Sequence, residues 1–525
     1  MSKIKAFLKN NCAITAFVVV MAVVYGRMMY TNKPWYDELY TYYFFISKGP
    51  LYAAIHWPVP NNHIGYSVLS SILDIFFDNY IGLRGISFIS SLANIVLIYR
   101  LSKTLFKKNV YGIISAVMLS GNYLVYSLAV QGRGYALGTL CFLTALNCIA
   151  YIYMKPSSDG NKGVTVNAIY LLFAISLALG LYAIPSNVYF VIPTCLTGGF
   201  VLMTKKRFKE MRKLIYFALL AAIATLSLYT IVWLAIGSNL ISKDPGSAYY
   251  GVYQIDIILH NPIGSFKTGI EYMLATPYIQ SIERARVIKE LPIYFRDLFN
   301  LFIGGTGWII AILTILTAIF SGIIAYKKRK GDDNPEYFTG VLLVINVVFI
   351  PLMLLIQSVE PYKRVLGYLG VIWALSVTFL VKNLVERIKN PRSSLLVAYV
   401  LTVILAVAVA IATKRADVPL ADRENDIADL LFECTEKGFN VNDIGSIYYT
   451  DDFQKYVLKF YYDVTPVETS LEEAEYVMVS EDLLKADGMK EWPMLTNYEN
   501  FNMDYVSEYF GEVFSTSKYT LYKKK

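Results

Sequence analysis

The feature that most constrains this chain is a series of eleven apolar stretches, each near the roughly 20 residues that cross a hydrocarbon core. They lie near 11–30, 84–102, 109–128, 135–154, 164–183, 186–204, 213–236, 301–325, 338–357, 365–382 and 394–412. A soluble chain of 525 residues needs more polar surface than one with 56% hydrophobic and 17% charged residues. The predicted fold class is an α-helical polytopic membrane protein. The first stretch reads as a retained span, because it is long, lacks a small-residue cleavage site and runs into Arg27 and Lys33. The stretch 64–77 is shorter, carries Asp74 and ends in Asp78, which suits a helix lying at the interface.

Charge divides the chain in two. From Lys414 to Lys525 there are 23 Asp and Glu against 12 Lys and Arg, which leaves 17 acids and 36 bases for the rest. A basic, apolar body (1–412) therefore precedes an acidic, water-compatible tail (413–525). The excess bases sit beside apolar spans and argue for no nucleic-acid partner. With a cytoplasmic N-terminus, the basic clusters all fall on one side: Lys3 to Lys9, Arg100 to Lys108, Lys155 and Lys162, Lys205 to Lys209, Lys327 to Lys330, and Lys382 to Arg392. The positive-inside rule makes that side the cytoplasm. Loops 31–83 and 237–300 and the tail are then extracytoplasmic, in a multi-pass protein of a bacterial cell membrane. In the tail, helical patterns at Asp422–Lys437 and Asp451–Tyr461 alternate with β-like runs at Ser446–Thr450, Glu475–Ser480 and Tyr519–Tyr522, predicting a small α/β domain.

The first exported loop offers the chemistry. Asp37 and Glu38 follow the first span directly, and adjacent carboxylates at a membrane surface serve as a base, a metal ligand or a partner for a cation, unless they are simply solvated. Asn62 and His63 open the interfacial helix, and His63 is one of three histidines. Arg133 and Tyr135 stand at the mouth of the fourth span and Arg364 at the mouth of the tenth. An arginine there serves an anion or snorkels to the headgroups. Arg284, Arg286 and Lys289 fall at helical spacing, either as a phosphate clamp or as the solvated face of an interfacial helix. The sequence holds no P-loop, no GxGxxG after a strand, and no Cys/His cluster of zinc spacing.

Five elements in order carry a resemblance: Asp37-Glu38, Asn62-His63-Ile64-Gly65, Arg84-Gly85-Ile86-Ser87, Gln131-Gly132-Arg133-Gly134-Tyr135 and Tyr362-Lys363-Arg364-Val365-Leu366. Together they are similar to signatures of the GT-C glycosyltransferases, above all the protein O-mannosyltransferase and aminoarabinose transferase branches. The chain departs from those branches at Ile64-Gly65-Tyr66, where Pro-Pro-Leu is frequent, and at Leu137-Gly138, where an aspartate is common. The resemblance implies inverting transfer of a sugar from a polyprenyl-phosphate donor to a glycan, lipid or protein acceptor. On that reading Asp37 is the base and Glu38 its supporting neighbour. Asn62, His63, Arg133, Tyr135, Arg284, Arg286 and Arg364 then bind the donor phosphate or substrate. No cofactor is implied beyond the lipid-linked donor, and a divalent metal stays open. The rival reading is a transporter or flippase for a lipid-linked glycan, which would place charges within spans and show matching halves.

Overall fold

The structure, a computed structural model, describes residues 2–55, 62–154, 163–236, 284–329, 334–357, 360–415, 435–436, 438–450, 452–480, 501–515 and 519–525. Among the described residues up to Arg415 the regular elements are helices. Helix α1 (Ser2–Thr31) ends where Pro34 forbids continuation. Three short helices follow, α2 (Tyr36–Phe44), α3 (Pro50–Ile55) and α4 (Ile64–Asp74). Next come α5 (Asn79–Phe106), α6 (Asn109–Ser120), α7 (Tyr123–Ser127), α8 (Tyr135–Met154), α9 (Gly163–Ala183), α10 (Val188–Thr204) and α11 (Phe208–Ile236). The helical part closes with α12 (Arg284–Asn300), α13 (Gly307–Lys328), α14 (Pro335–Gln357), α15 (Leu369–Val385) and α16 (Pro391–Arg415).

Among the described residues, eight segments are long and apolar enough to cross a membrane, on α1, α5, α8, α10, α11, α13, α14 and α16. The other three expected spans appear as shorter apolar helices, α6, α9 and α15. The stretch 109–128 is not one helix, because it breaks at Gly121-Asn122. A side chain at Gly121 would collide with Val409 of α16, and Asn122 caps α7 by accepting from the Val125 amide at 3.1 Å. The expected interfacial helix is α4. Its 11 residues reach about 16 Å at 1.5 Å each, too short to cross. Helix α5 is central and packs on α1, α4, α6 and α8. Its N-terminus is capped by Asp78, which accepts from the Ile81 amide at 2.9 Å.

The tail contains a five-stranded mixed sheet, β1 (Ser446–Tyr449), β2 (Val467–Glu468), β3 (Tyr476–Ser480), β4 (Phe510–Ser515) and β5 (Tyr519–Lys524), in the order β2-β1-β3-β5-β4. Strands β2 and β3 run parallel to β1, with Ile447 opposite Tyr476, and β5 runs antiparallel to both β3 and β4. Helix α17 (Asp452–Tyr462) crosses from β1 toward β2, and α18 (Met503–Tyr509) precedes β4. Expected strands 446–450, 475–480 and 519–522 match β1, β3 and β5, and the expected helix 451–461 matches α17. The helix expected at 422–437 lies almost wholly outside the described residues, as does the part of loop 237–300 before Arg284.

Candidate functional site

The site forms where α2, the 131–134 turn before α8, the N-terminus of α4 and the turn before α15 meet. Helix α2 begins after Trp35, and Glu38, its third residue, reaches back to accept from the Trp35 amide at 3.2 Å. Successive helical residues point about 100° apart, so Asp37 and Glu38 face different partners.

Glu38 turns inward and is 3% exposed. Arg84 of α5, itself 2% exposed, grips it with Nε at 2.8 Å from one oxygen and Nη2 at 3.0 Å from the other. The Gly132 amide donates to the same carboxylate at 2.6 Å. Any side chain at residue 132 would strike Leu83 and crowd Glu38, so glycine allows that backbone approach. Arg84 Nη1 also donates to the carbonyls of Met29 (2.8 Å) and Asn32 (2.6 Å), which ties the end of α1 to the same centre. With Arg84 and two backbone amides already on its carboxylate, Glu38 is an anchor.

Asp37 turns instead toward Arg364, whose Nη2 donates to its carboxylate at 2.9 Å. Both side chains are partly exposed, at 19% and 24%. Arg364 Nε donates to the Tyr135 hydroxyl at 2.8 Å. The guanidinium lies 4.7 Å from the ring centres of both Trp35 and Tyr362, a placement that favours the cation. The ring of Tyr135 meets that of His63 edge-on at 5.2 Å.

His63 and Arg133 form the adjoining half. The Gly134 amide donates to His63 Nδ1 at 3.0 Å, and Arg133 Nη2 lies 3.2 Å from Nε2. Burial, reinforced by the positive charges of Arg133 and Arg364, holds the imidazole well below its ordinary pKa of 6.5, so the ring is neutral. A neutral ring that accepts at Nδ1 carries its proton on Nε2, which faces the Arg133 guanidinium. The other arm of Arg133, Nη1, donates to Thr41 Oγ1 at 2.7 Å, one turn along α2 from Asp37. Ser87 Oγ, 2.5 Å from the Gln131 carbonyl, pins the turn that presents Arg133.

Five expected residues thus come together: Asp37, His63, Arg133, Tyr135 and Arg364, with Glu38 directly beneath. Asn62 is committed to local structure, since its amide donates to the Ala53 carbonyl (3.0 Å) and its oxygen accepts from Ser67 (2.8 Å). Arg286 is exposed on α12 and pairs with Glu290 of the same helix at 2.8 Å. Arg284 begins that helix, and its side chain lies outside the described residues. Trp35, Thr41 and Arg84 were not singled out as site residues from sequence. Their signals were adjacency to Asp37-Glu38, one-turn spacing from Asp37, and the Arg-x-x-Ser pattern. Among the described residues no group of three or more His, Cys, Asp or Glu comes together as a metal site.

No family model matches this sequence, and no curated protein matches it. Solved structures do match in three dimensions. The Archaeoglobus fulgidus oligosaccharyltransferase, in complex with Zn and sulfate, superposes with a TM-score of 0.51 at 11% identity, covering 97% of this chain and 73% of that one. ArnT from Cupriavidus metallidurans in the apo state gives 0.49 at 12% identity, covering 97% of each chain. In fold, this chain resembles the GT-C membrane glycosyltransferases.

Proposed function

We propose that the chain is an inverting glycosyltransferase that moves a sugar from a polyprenyl-phosphate donor to an acceptor on the extracytoplasmic side of the membrane. The observation that carries this reading is the division of labour within Asp37-Glu38. Glu38 is consumed by Arg84 and two backbone amides, while Asp37 is partly exposed beside Arg364, Tyr135, Arg133 and His63. The fold resemblance to an oligosaccharyltransferase agrees with it.

In this mechanism Asp37 accepts the proton of the acceptor hydroxyl as its oxygen attacks the anomeric carbon. The bond from that carbon to the phosphate oxygen breaks in the same displacement, which inverts the configuration. Negative charge grows on the departing polyprenyl phosphate. On this reading Arg133 and neutral His63 receive it, with Arg364 alongside. These donors are fixed before the reaction by Thr41, Gly134 and Tyr135, so little reorganisation is needed.

The test is Asp37→Asn in purified protein supplied with polyprenyl-phosphate sugars. Turnover is expected to fall at least about 10²-fold with donor binding little changed, because the near-isosteric amide keeps the shape and loses the proton acceptor. Glu38→Gln is expected to lower thermal stability more than it lowers the turnover of the protein that remains folded. Near-normal transfer by Asp37→Asn would remove Asp37 as the base, whereas no transfer by the wild type from any polyprenyl-phosphate sugar would remove the case for this enzyme.

A further inference from the structure

Helix α2 has a second face. Its inner side carries Asp37 and Thr41, which meet Arg364 and Arg133. Tyr36, Tyr43 and Phe44 lie on the rest of its surface, and Tyr456 of α17, in the tail, is buried among their rings. Tyr456 stacks on Tyr43 at 5.6 Å with planes 13° apart, and it meets Tyr36 at 6.1 Å and Phe44 at 6.0 Å. One turn further, Phe460 packs edge-on against Tyr42 at 5.8 Å and Tyr80 at 5.0 Å. Lys459 Nζ sits 4.9 Å from the centre of the Tyr43 ring. The tail therefore lies at the same end of the helical bundle as the site.

A helix of nine residues has little stability of its own, so its position is set by what packs on it. From α4, Asp74 hydrogen-bonds Tyr42. From inside, Glu38 is held by Arg84. From outside, the cover is α17. We propose that α17 is a positioning clamp. Through Tyr456 and Phe460, the C-terminal domain holds α2 in the register that aligns Asp37 with Arg364 and so sets turnover. The inference rests on Asp37 being the base, as proposed above. Displacements near 1 Å in a reacting group cost about 10²-fold in rate, so a shift too small to unfold α2 is enough to be read.

The experiment uses the full-length protein in detergent or nanodiscs, with Tyr456→Ala, Phe460→Ala and the conservative Tyr456→Phe. Both Ala variants are expected to lose about tenfold or more in kcat with the KM for the donor unchanged, and Tyr456→Phe, which keeps the ring stack, is expected to stay within about twofold of wild type. Hydrogen exchange supplies an independent reading. In Tyr456→Ala the amides of 36–44 should exchange faster while those of α5 do not change. Unchanged kcat together with unchanged exchange in α2 would overturn the clamp. So would a loss of exchange protection spread over the whole bundle, since that marks a merely structural contact. If Asp37→Asn retains activity, it is the base assignment that fails; if Asp37→Asn is inactive and Tyr456→Ala is not, it is the clamp.

Discussion

His63 is the residue whose environment speaks most directly to solution conditions. Its pKa is held well below 6.5, by burial first and by Arg133 and Arg364 next. The unfolded chain takes up a proton as pH falls through 6.5 and the native state does not. The depressed pKa therefore contributes stability above that value, and the contribution is lost as pH drops below it. Thermal unfolding of wild type should move to lower temperature on mild acidification. His63→Gln, whose amide oxygen can still accept from Gly134, should remove part of that dependence. An identical slope in both proteins would mean that His63 is not the titrating group. The arginines make a second pair of residue-scale tests. Arg133→Ala and Arg364→Ala should each raise the donor concentration needed for half-saturation by about tenfold or more. Lys at either position should restore only part of it, because it keeps the charge and loses the planar fork. Saturation curves unchanged in both Ala variants would place the phosphate elsewhere.

Among the elements, the Arg84–Glu38 pair is the anchor between α5, α2, the end of α1 and the 131–134 turn. Removing one partner of a buried ion pair leaves the other uncompensated, at a cost of about 3–5 kcal/mol. Arg84→Met should therefore lower the unfolding temperature markedly, whereas a Met at exposed Arg286 should not; equal melting of the two would contradict the anchor. This pairing also marks where the sequence stops being informative. Asp37, Glu38, Arg133 and Arg364 were visible because each is a charge at the end of an apolar stretch, where charge is costly and needs a reason. Which arginine serves which carboxylate was not visible, because that depends on the turn of α2 that separates neighbouring side chains. Asn62 carried the same kind of signal as His63, yet it closes its own loop onto Ala53 and Ser67. The need for glycine at the break between α6 and α7 was hidden for a similar reason: Val409, which leaves no room for a side chain there, lies almost 300 residues away. Strand β4 was missed because it is irregular, slipping register between Glu512 and Phe514.

On the scale of the whole molecule, the body and tail were legible from charge and hydropathy, and the structure adds that the tail rests on the site's own end of the bundle. The one-sided basic loops predict that this end lies outside the cytoplasm. A cysteine introduced at exposed Ser507, in a background without native cysteines, should react with a membrane-impermeant thiol reagent in intact cells. Labelling only after lysis would invert the topology and place the transfer in the cytoplasm. The seating of Tyr456 and Phe460 on α2 also has a consequence in time. Residues 36–44 leave the ribosome more than four hundred residues before the helix that covers them. Between the synthesis of Arg364 and that of α17, a growing chain therefore holds every charged member of the site without the clamp. On this account the nascent protein gains full speed only once α17 is made, and premature termination before Tyr456 yields an inserted but slow product.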